Sequence, residues 1–449
     1  MNPENTMPGR PAGKSPGKKS PRKTTGSAKL MRKVTRKTLD NGLRVFLVES
    51  HELPVVSHMI WYAVGARDER TGETGLSHFL EHMMFKGTDR YPKGTIDLTT
   101  ARLGGNNNAF TDQDCTAYYF NLKSDRWGEA LEIEASRMRG CLLDDAEFDA
   151  EKQVVLNELM MGEDEPVRPL MQAVEATAYQ VHPYHHPVIG WREDLERLNR
   201  DDMLAYYQRH YTPDRAVLVV VGDLRAKDAL AEIEDKLGSI PASNTPRPER
   251  LAEPQQRGER RIVVRFPGNM PRLAIAWHTC RVGEVEDPIL DVVSYLLSAG
   301  KTGRFYRTII QGRELATSAD SYNDARLDPG LFWVLAEGKP KTRPEALEAA
   351  IFEEMETLAK KGPTAAELRR VKKQILTSFY FDLETVGSQA MRIGRHEVSS
   401  TEGYRSFEKY PKHLEAITAA DIKRVMRQYL TKDNRTVGWS LRMIEAKDA

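Results

Sequence analysis

His78-Phe79-Leu80-Glu81-His82 sits inside a longer run, Gly75-Leu76-Ser77-His78 through Phe85-Lys86-Gly87-Thr88. Between Thr74 and Phe85 only Gly75, at the start, opposes a helix, so the run predicts one. Positions i and i+4 share a helix face, which sets His78 and His82 one turn apart and pointing the same way. That spacing suits two imidazoles on one Zn²⁺. Glu81 stands close enough to reach a water beside such a metal. With 11 His in 449 residues, chance supplies on the order of 0.02 such H-x-x-E-H pentads per chain. The competing reading is a helix whose His and Glu merely face solvent, and a second site must decide.

A chain of 449 residues is too long for one core and suits two to four domains. With 40% hydrophobic and 29% charged residues it has the composition of a soluble globular protein. No apolar run approaches the roughly 18 residues of a membrane span. Cys115, Cys141 and Cys280 are odd in number and form no CxxC, which argues for buried free thiols rather than disulfides or a zinc ribbon. Residues 1–37 carry eleven Lys/Arg against Glu4 alone, a charge of +10 that leaves −9 for the rest of a chain whose net charge is +1. Rich in Pro, Gly, Ser and Thr, residues 1–34 read as a disordered basic tail with no secretory h-region. A nucleic-acid-binding role for this arm is the weaker reading.

Thr38 to Ser50 reads as a hairpin turning at Asp40-Asn41-Gly42, and Val55 to Val64 as an apolar strand. After the pentad helix come a second helix, Lys93 to Leu103, closed by Gly104-Gly105, and a strand pair running from Asn106 to Phe120. Trp127 to Arg139 is an amphipathic helix. Asp144 with Glu147 has the capping-box pattern for the next helix. There Phe148, Val154, Val155, Leu156 and Leu159 are the expected core positions, with Glu151 and Glu158, seven apart, on the opposing stripe. Such a stripe is usually solvated. Two histidines, however, need a third protein ligand if a catalytic zinc is to keep its fourth position for water.

His78-x-x-Glu81-His82, the 76-residue step to Glu158 and the run Glu151-Lys152-Gln153-Val154-Val155-Leu156-Asn157-Glu158 resemble the pitrilysin, insulysin and mitochondrial processing peptidase family. So do Gly104-Gly105, Asn108-Ala109-Phe110-Thr111 and Tyr211-Thr212-Pro213-Asp214 with Val221-Gly222-Asp223. The likeness spans roughly residues 35–449 and is nearest to the bacterial single-length members. It implies one Zn²⁺ per chain held by His78, His82 and Glu158, Glu81 as catalytic base and Glu151 as supporting carboxylate. It also implies that Asn108, Ala109 and Phe110 lie on an edge that holds an extended peptide by β-addition. Glu81 would take a proton from water and pass it to the leaving amine, making the chain a zinc metalloendopeptidase.

Leu195 to His210 reads as a helix capped near Asn199 or Asp201, and Ala216 to Val221 as a strand. The clustered histidines of His182-Pro183-Tyr184-His185-His186-Pro187 are read as loop residues, because the flanking prolines break ligand spacing. Residues 241–258, with four prolines from Pro241 to Pro254 in and beside them, read as a linker between a zinc-binding domain, 35–240, and a second domain, 259–449. The second repeats the first. Leu195-Glu196-x-Leu198, Asp202 and Thr212-x-Asp214 recur as Leu414-Glu415-x-Ile417, Asp421 and Thr431-x-Asp433 at a constant offset of 219. The strand around Trp61 returns around Trp277, and Val155-Leu156 as Ile375-Leu376. Ser294-Tyr295-Leu296 stands near the pentad's place and Ser378 at that of Glu158, so the repeat lacks metal chemistry. The expected fold is α+β: two tandem domains, each an antiparallel-rich sheet with helices on one face, forming half of a clamshell.

The family also brings an Arg and a Tyr to the catalytic centre from a later domain, where this chain has Ile310 and Thr317. Neither replaces them chemically. The resemblance therefore implies a heterodimer with a metal-free homologous subunit that supplies the pair, with a homodimer second. A processing peptidase for N-terminal presequences and a non-catalytic structural core subunit are the alternatives. With no secretory signal the expected location is the cytoplasm, with a mitochondrial-type setting second.

Overall fold

The computed structural model describes residues 33–243, Thr245 and 251–443. Most of the expected basic tail, and Asn244 and residues 246–250 of the linker region, lie outside the described residues. The described residues form one compact unit built of two lobes.

The first lobe opens with β1 (Val34–Thr38), β2 (Arg44–Glu49) and β3 (Val55–Tyr62), then α1 (Leu76–Met83) and α2 (Thr95–Arg102). Next are β4 (Asn106–Thr111), β5 (Thr116–Lys123), α3 (Trp127–Gly140), α4 (Asp145–Glu163) and α5 (Arg168–Ala178). It closes with α6 (Arg192–Arg197), α7 (Arg200–His210), β6 (Ala216–Gly222) and α8 (Ala226–Leu237). In the second lobe β7 (Arg260–Phe266) and β8 (Arg272–His278) lead to α9 (Asp287–Ser298), β9 (Ala316–Asp324) and β10 (Leu331–Gly338). Five helices follow: α10 (Pro344–Lys361), α11 (Ala365–Phe381), α12 (Val386–Ser399), α13 (Tyr404–Ala416) and α14 (Ala419–Tyr429). The closing strand is β11 (Arg435–Arg442).

The sheets run β1-β2-β6-β3-β5-β4 and β7-β11-β8-β10-β9. In each, one parallel pair (β2 with β6, β7 with β11) sits beside antiparallel pairs, so the second sheet is the first without its leading strand. The strands around Trp61 and Trp277 do correspond, but the two tryptophans do not. Trp61 pairs with Val217, whose repeat at offset 219 is Thr436, and Thr436 pairs with Ala276. Trp277 therefore occupies the place of Tyr62. Side chains alternate across a strand, and the shift by one puts Tyr62 and Trp277 in the helix-side cores while Trp61 faces the other way.

That other face explains the packing. Each lobe covers one face of its sheet with its own helices, as the sequence predicts, and receives one helix from the opposite lobe on the other face. α5 lies on β7, β8 and β11, burying Leu170, Val174 and Ala178 against Ala274, Ala276 and Trp333. α12, its counterpart 220 residues on, lies on β3 and β6. Burial of Leu170 and Val174 alone is worth about 1.5–3 kcal/mol each. A Cβ on Gly394 would fall inside the Trp61 indole, and one on Gly438 would collide with Val174, so glycine sets both crossing distances.

Three local expectations change. Glu151 is buried among the core-facing positions of α4, not on the opposing stripe, and Val154 is exposed. Asp144 caps α4 by accepting from Ala146 and Glu147 N–H, while the Glu147 carboxylate turns to Lys93, 2.6 Å away. The segment from Leu195 to His210 is two helices, broken at Leu198-Asn199, because Asn199 and Asp202 form a capping box that starts α7 afresh. The three cysteines are free and buried.

Candidate metal centre

α1 begins at Gly75, whose φ of +93 opens the chain into the helix and where a Cβ would strike the Ile189 carbonyl. Its first turn is held by a carboxylate that the sequence reading passed over. Glu69, fully buried, accepts from the N–H groups of Gly75 and Ser77, both at 2.7 Å. Burial pushes its carboxyl up to about 8 despite those bonds. Six residues ahead of the helix, it leaves no periodic signal.

On this helix His78 and His82 share a face, their ring centroids 4.7 Å apart. α4 packs against α1 and brings Glu158 opposite them. Glu158 Oε2 is 3.7 Å from His78 Nε2 and 3.6 Å from His82 Nε2. Among the described residues this is the only group of three or more His, Cys, Asp or Glu able to converge on a metal, with ligand atoms within 4.8 Å of one another. Ligands about 2.1 Å from a tetrahedral Zn²⁺ lie roughly 3.4 Å apart, close to the two spacings seen. The donor set, two imidazoles and a carboxylate, fits zinc.

Protonation fits as well. Burial, with the charges of His82 and Arg168, lowers His78 to about 3, so its ring is neutral at pH 7. Burial pushes Glu151 up, but bonds from Lys86 and His82 outweigh it and hold the carboxyl below its usual range. The ionised Glu151 accepts from His82 Nδ1 at 2.9 Å, which fixes the proton on Nδ1 and leaves the Nε2 lone pair facing Glu158. Lys86, one turn beyond His82, pairs with the other Glu151 oxygen.

Glu81 is not one of the three converging residues. Burial raises its carboxyl above the ordinary range, while Thr111 Oγ1 donates to its Oε2 at 2.6 Å and draws it back. Thr111 ends β4, the edge strand, which pairs with β5 alone. Along β4, Asn107 bonds Thr100 of α2, Ala109 packs on the first core, and Phe110 faces Trp61 on the opposite side, centroids 5.4 Å apart. Asn108 Oδ1 accepts from the Ala109 N–H. The structure thus brings His78, His82, Glu158, Glu151 and Glu81 together and sets Asn108, Ala109 and Phe110 on the free edge beside them.

The remaining candidates go elsewhere. Ile310 packs on the core of the second lobe, and Thr317 donates to Glu337 Oε1 at 3.0 Å on the neighbouring strand. His182 and His186 are buried between loops, His182 Nε2 lying 3.2 Å from Asp328 of the second lobe. In the repeat, Val371 and Ser378 of α11 stand where α4 has Glu151 and Glu158, and Ser294 lies near the place of the histidine pair.

The insulinase (peptidase family M16) model matches residues 44–191, and the peptidase M16 inactive domain matches 197–375. The zinc protease PqqE of Helicobacter pylori is 30% identical over 406 residues, covering 89% of this chain and 90% of that protein. The uncharacterized zinc protease YmxG of Bacillus subtilis is 28% identical over 400 residues, covering 89% and 96%. A crystal structure of a protease from Helicobacter pylori superposes with a TM-score of 0.88 at 28% identity, covering 91% of this chain and all of that one. The periplasmic protease PqqL of Escherichia coli shares the fold with a TM-score of 0.74 at 21% identity, the match covering 93% of this chain and 48% of that longer one. Fold and relatives define a homologue of zinc proteases. The chain belongs to peptidase family M16.

Proposed function

We propose that the chain is the zinc-bearing subunit of a metalloendopeptidase acting on extended or unfolded peptides. The observation that carries this reading is the convergence of His78, His82 and Glu158 beside a base, Glu81, that is tethered to the free edge strand. His78, His82 and Glu158 would hold one Zn²⁺, which when bound polarises a peptide carbonyl and acidifies water. Glu81 takes the water's proton and returns it to the leaving amine nitrogen. Thr111 occupies Oε2, so Oε1 is the oxygen left for that transfer. Glu151 keeps the His82 proton on Nδ1. The β4 backbone pairs with the substrate main chain, which makes recognition tolerant of sequence.

A metal-free homologous partner closing on this chain as a clamshell completes the site; a homodimer is the second arrangement. Two observations support this. Ile310 and Thr317 are engaged inside their own lobe, and PqqL carries this fold in about half of a longer chain. The test is turnover of a quenched fluorescent peptide by the purified chain, with bound zinc counted. Zinc near one per chain and turnover only when a homologous partner is added is the expected result. No zinc at all would sink the reading.

A further inference from the structure

A cavity of ≈ 920 Å³ opens between the lobes, lined by the first turns of α5, the β4–β5 turn and parts of α9, α11 and α12. Four arginines line it. Arg326 is bound by Glu175 at 2.7 Å and Asp324 at 2.6 Å, Arg392 pairs with Asp382, and Arg395 pairs with Asp112. Arg168 has no ion pair and no hydrogen bond among the described residues. A guanidinium stays charged at any pH the protein meets, and leaving it unmatched in a partly enclosed place costs free energy that a ligand carboxylate would recover.

Its position is specific. The guanidinium rests on Gly162, where a Cβ would stand 2.7 Å from Arg168 Cζ, so the missing side chain makes its seat. Gly162 and Glu158 are four residues apart on α4, hence on one face and about 6 Å apart along the axis. Glu158 in turn faces His78 across 3.7 Å. α1 contacts both β4 and α4. Arg168, seated on Gly162, therefore lies about one α4 turn from the ligand Glu158. An extended peptide advances about 3.3 Å per residue, so 6 Å is roughly two residues.

We propose that Arg168 determines specificity in a subsite that takes an acidic side chain of the peptide, about two residues from the scissile bond. The subsite rests on the peptidase reading above. The planar guanidinium fork matches Asp or Glu in a bidentate pair, and the same charge repels a substrate Arg or Lys.

The test uses the full zinc-loaded chain carrying Glu81→Gln, so that peptides bind without turnover. A fluorescent decapeptide, otherwise neutral, carries one Glu, Ala or Arg scanned through its central six positions, and binding is read by anisotropy. At one position the Glu peptide should bind about tenfold tighter than the Ala peptide, and the Arg peptide weakest of the three. Adding Arg168→Gln should abolish the difference, and Arg168→Glu should reverse it. If Arg168→Glu misfolds by circular dichroism, Arg168→Gln decides. Equal binding of all three peptides by the parent, preference for Arg, or a preference for Glu that survives replacement of Arg168 overturns the subsite. Cleavage by the Glu81-bearing chain, with products located by mass spectrometry, separates the two readings. Charge-selective binding without turnover leaves the subsite and removes the peptidase, whereas turnover without charge selection does the reverse.

Discussion

His82 Nδ1 and Glu151 Oε1 lie 2.9 Å apart, and this bond ties the helix carrying two of the proposed metal ligands to the helix carrying the third. The bond fixes the tautomer of His82. It also explains why a glutamate is buried on the core side of α4, where Lys86 supplies the compensating charge. Glu151→Gln removes the charge that keeps the Nδ1 proton in place. Zinc affinity or peptidase activity should fall about 10–100-fold, read by competition with a chromogenic chelator and by peptide turnover. Unchanged values for both would remove Glu151 from the site.

Asp112 joins the second lobe to the proposed base. Its Oδ1 accepts from the N–H groups of Asp114 and Cys115, both at 2.8 Å, its Oδ2 pairs with Arg395 of α12, and its neighbour Thr111 bonds Glu81. Arg395 also lies over Phe110, 5.3 Å from the ring centroid. Arg395→Met should speed amide exchange across Asn106–Thr111 and lower kcat/KM about tenfold, with zinc content unchanged. The exposed Arg36–Glu408 pair at 3.5 Å is the control. Loss of a pair of that kind shifts stability by less than about 1 kcal/mol, and Arg36→Met should leave β4 exchange as it is. Identical exchange in the two variants would separate Arg395 from the edge strand.

The exchanged helices predict that the lobes do not fold alone, since each would expose a sheet face that the other now covers. Gly394→Ala pushes α12 off Trp61, and Gly438→Ala pushes β11 from Val174. Each should cost about 1–3 kcal/mol in chemical denaturation. Wild-type stability in both variants would contradict the close approach.

His58 supplies the pH dependence. It is buried between Phe120 and Trp127, neither ring nitrogen has a hydrogen-bond partner among the described residues, and burial, aided by the charge of Arg137, lowers it to about 3. Its folded pKa is below the unfolded value near 6.5, so the unfolded chain binds the proton first. Stability from this group is complete above about pH 6.5 and is lost as pH falls toward 3, at about 1.4 kcal/mol per pH unit. His58→Leu should therefore gain about 2 kcal/mol more over wild type at pH 5 than at pH 7. Equal gains at the two pH values would mean that His58 does not titrate in this way.

The paired histidines could be read in the sequence because two imidazoles at i and i+4 are a spacing with a chemical meaning. Glu158 is reached only through the family resemblance, and the repeat is legible because one offset holds from Leu195 to Asp433. Other features were hidden for physical reasons. An amphipathic helix such as α5 shows its apolar face but not which sheet that face will meet, so the exchange of α5 and α12 leaves no local trace. Glu151 sits at a spacing that serves either face of α4, and only the partners His82 and Lys86 draw it inward. Arg168 carries no motif; its meaning comes from Gly162, six positions earlier, and from carboxylates that bind the other arginines of the cavity.

The most direct measurement compares wild type with Glu81→Gln, each in the form that turns over a quenched peptide, counting zinc in both. The account predicts about one zinc per chain in each protein and a loss of turnover of at least two orders of magnitude in the variant, because the base contributes 10²–10⁴-fold. Turnover retained by Glu81→Gln, or a wild-type chain that turns over peptide with no zinc bound, would contradict it.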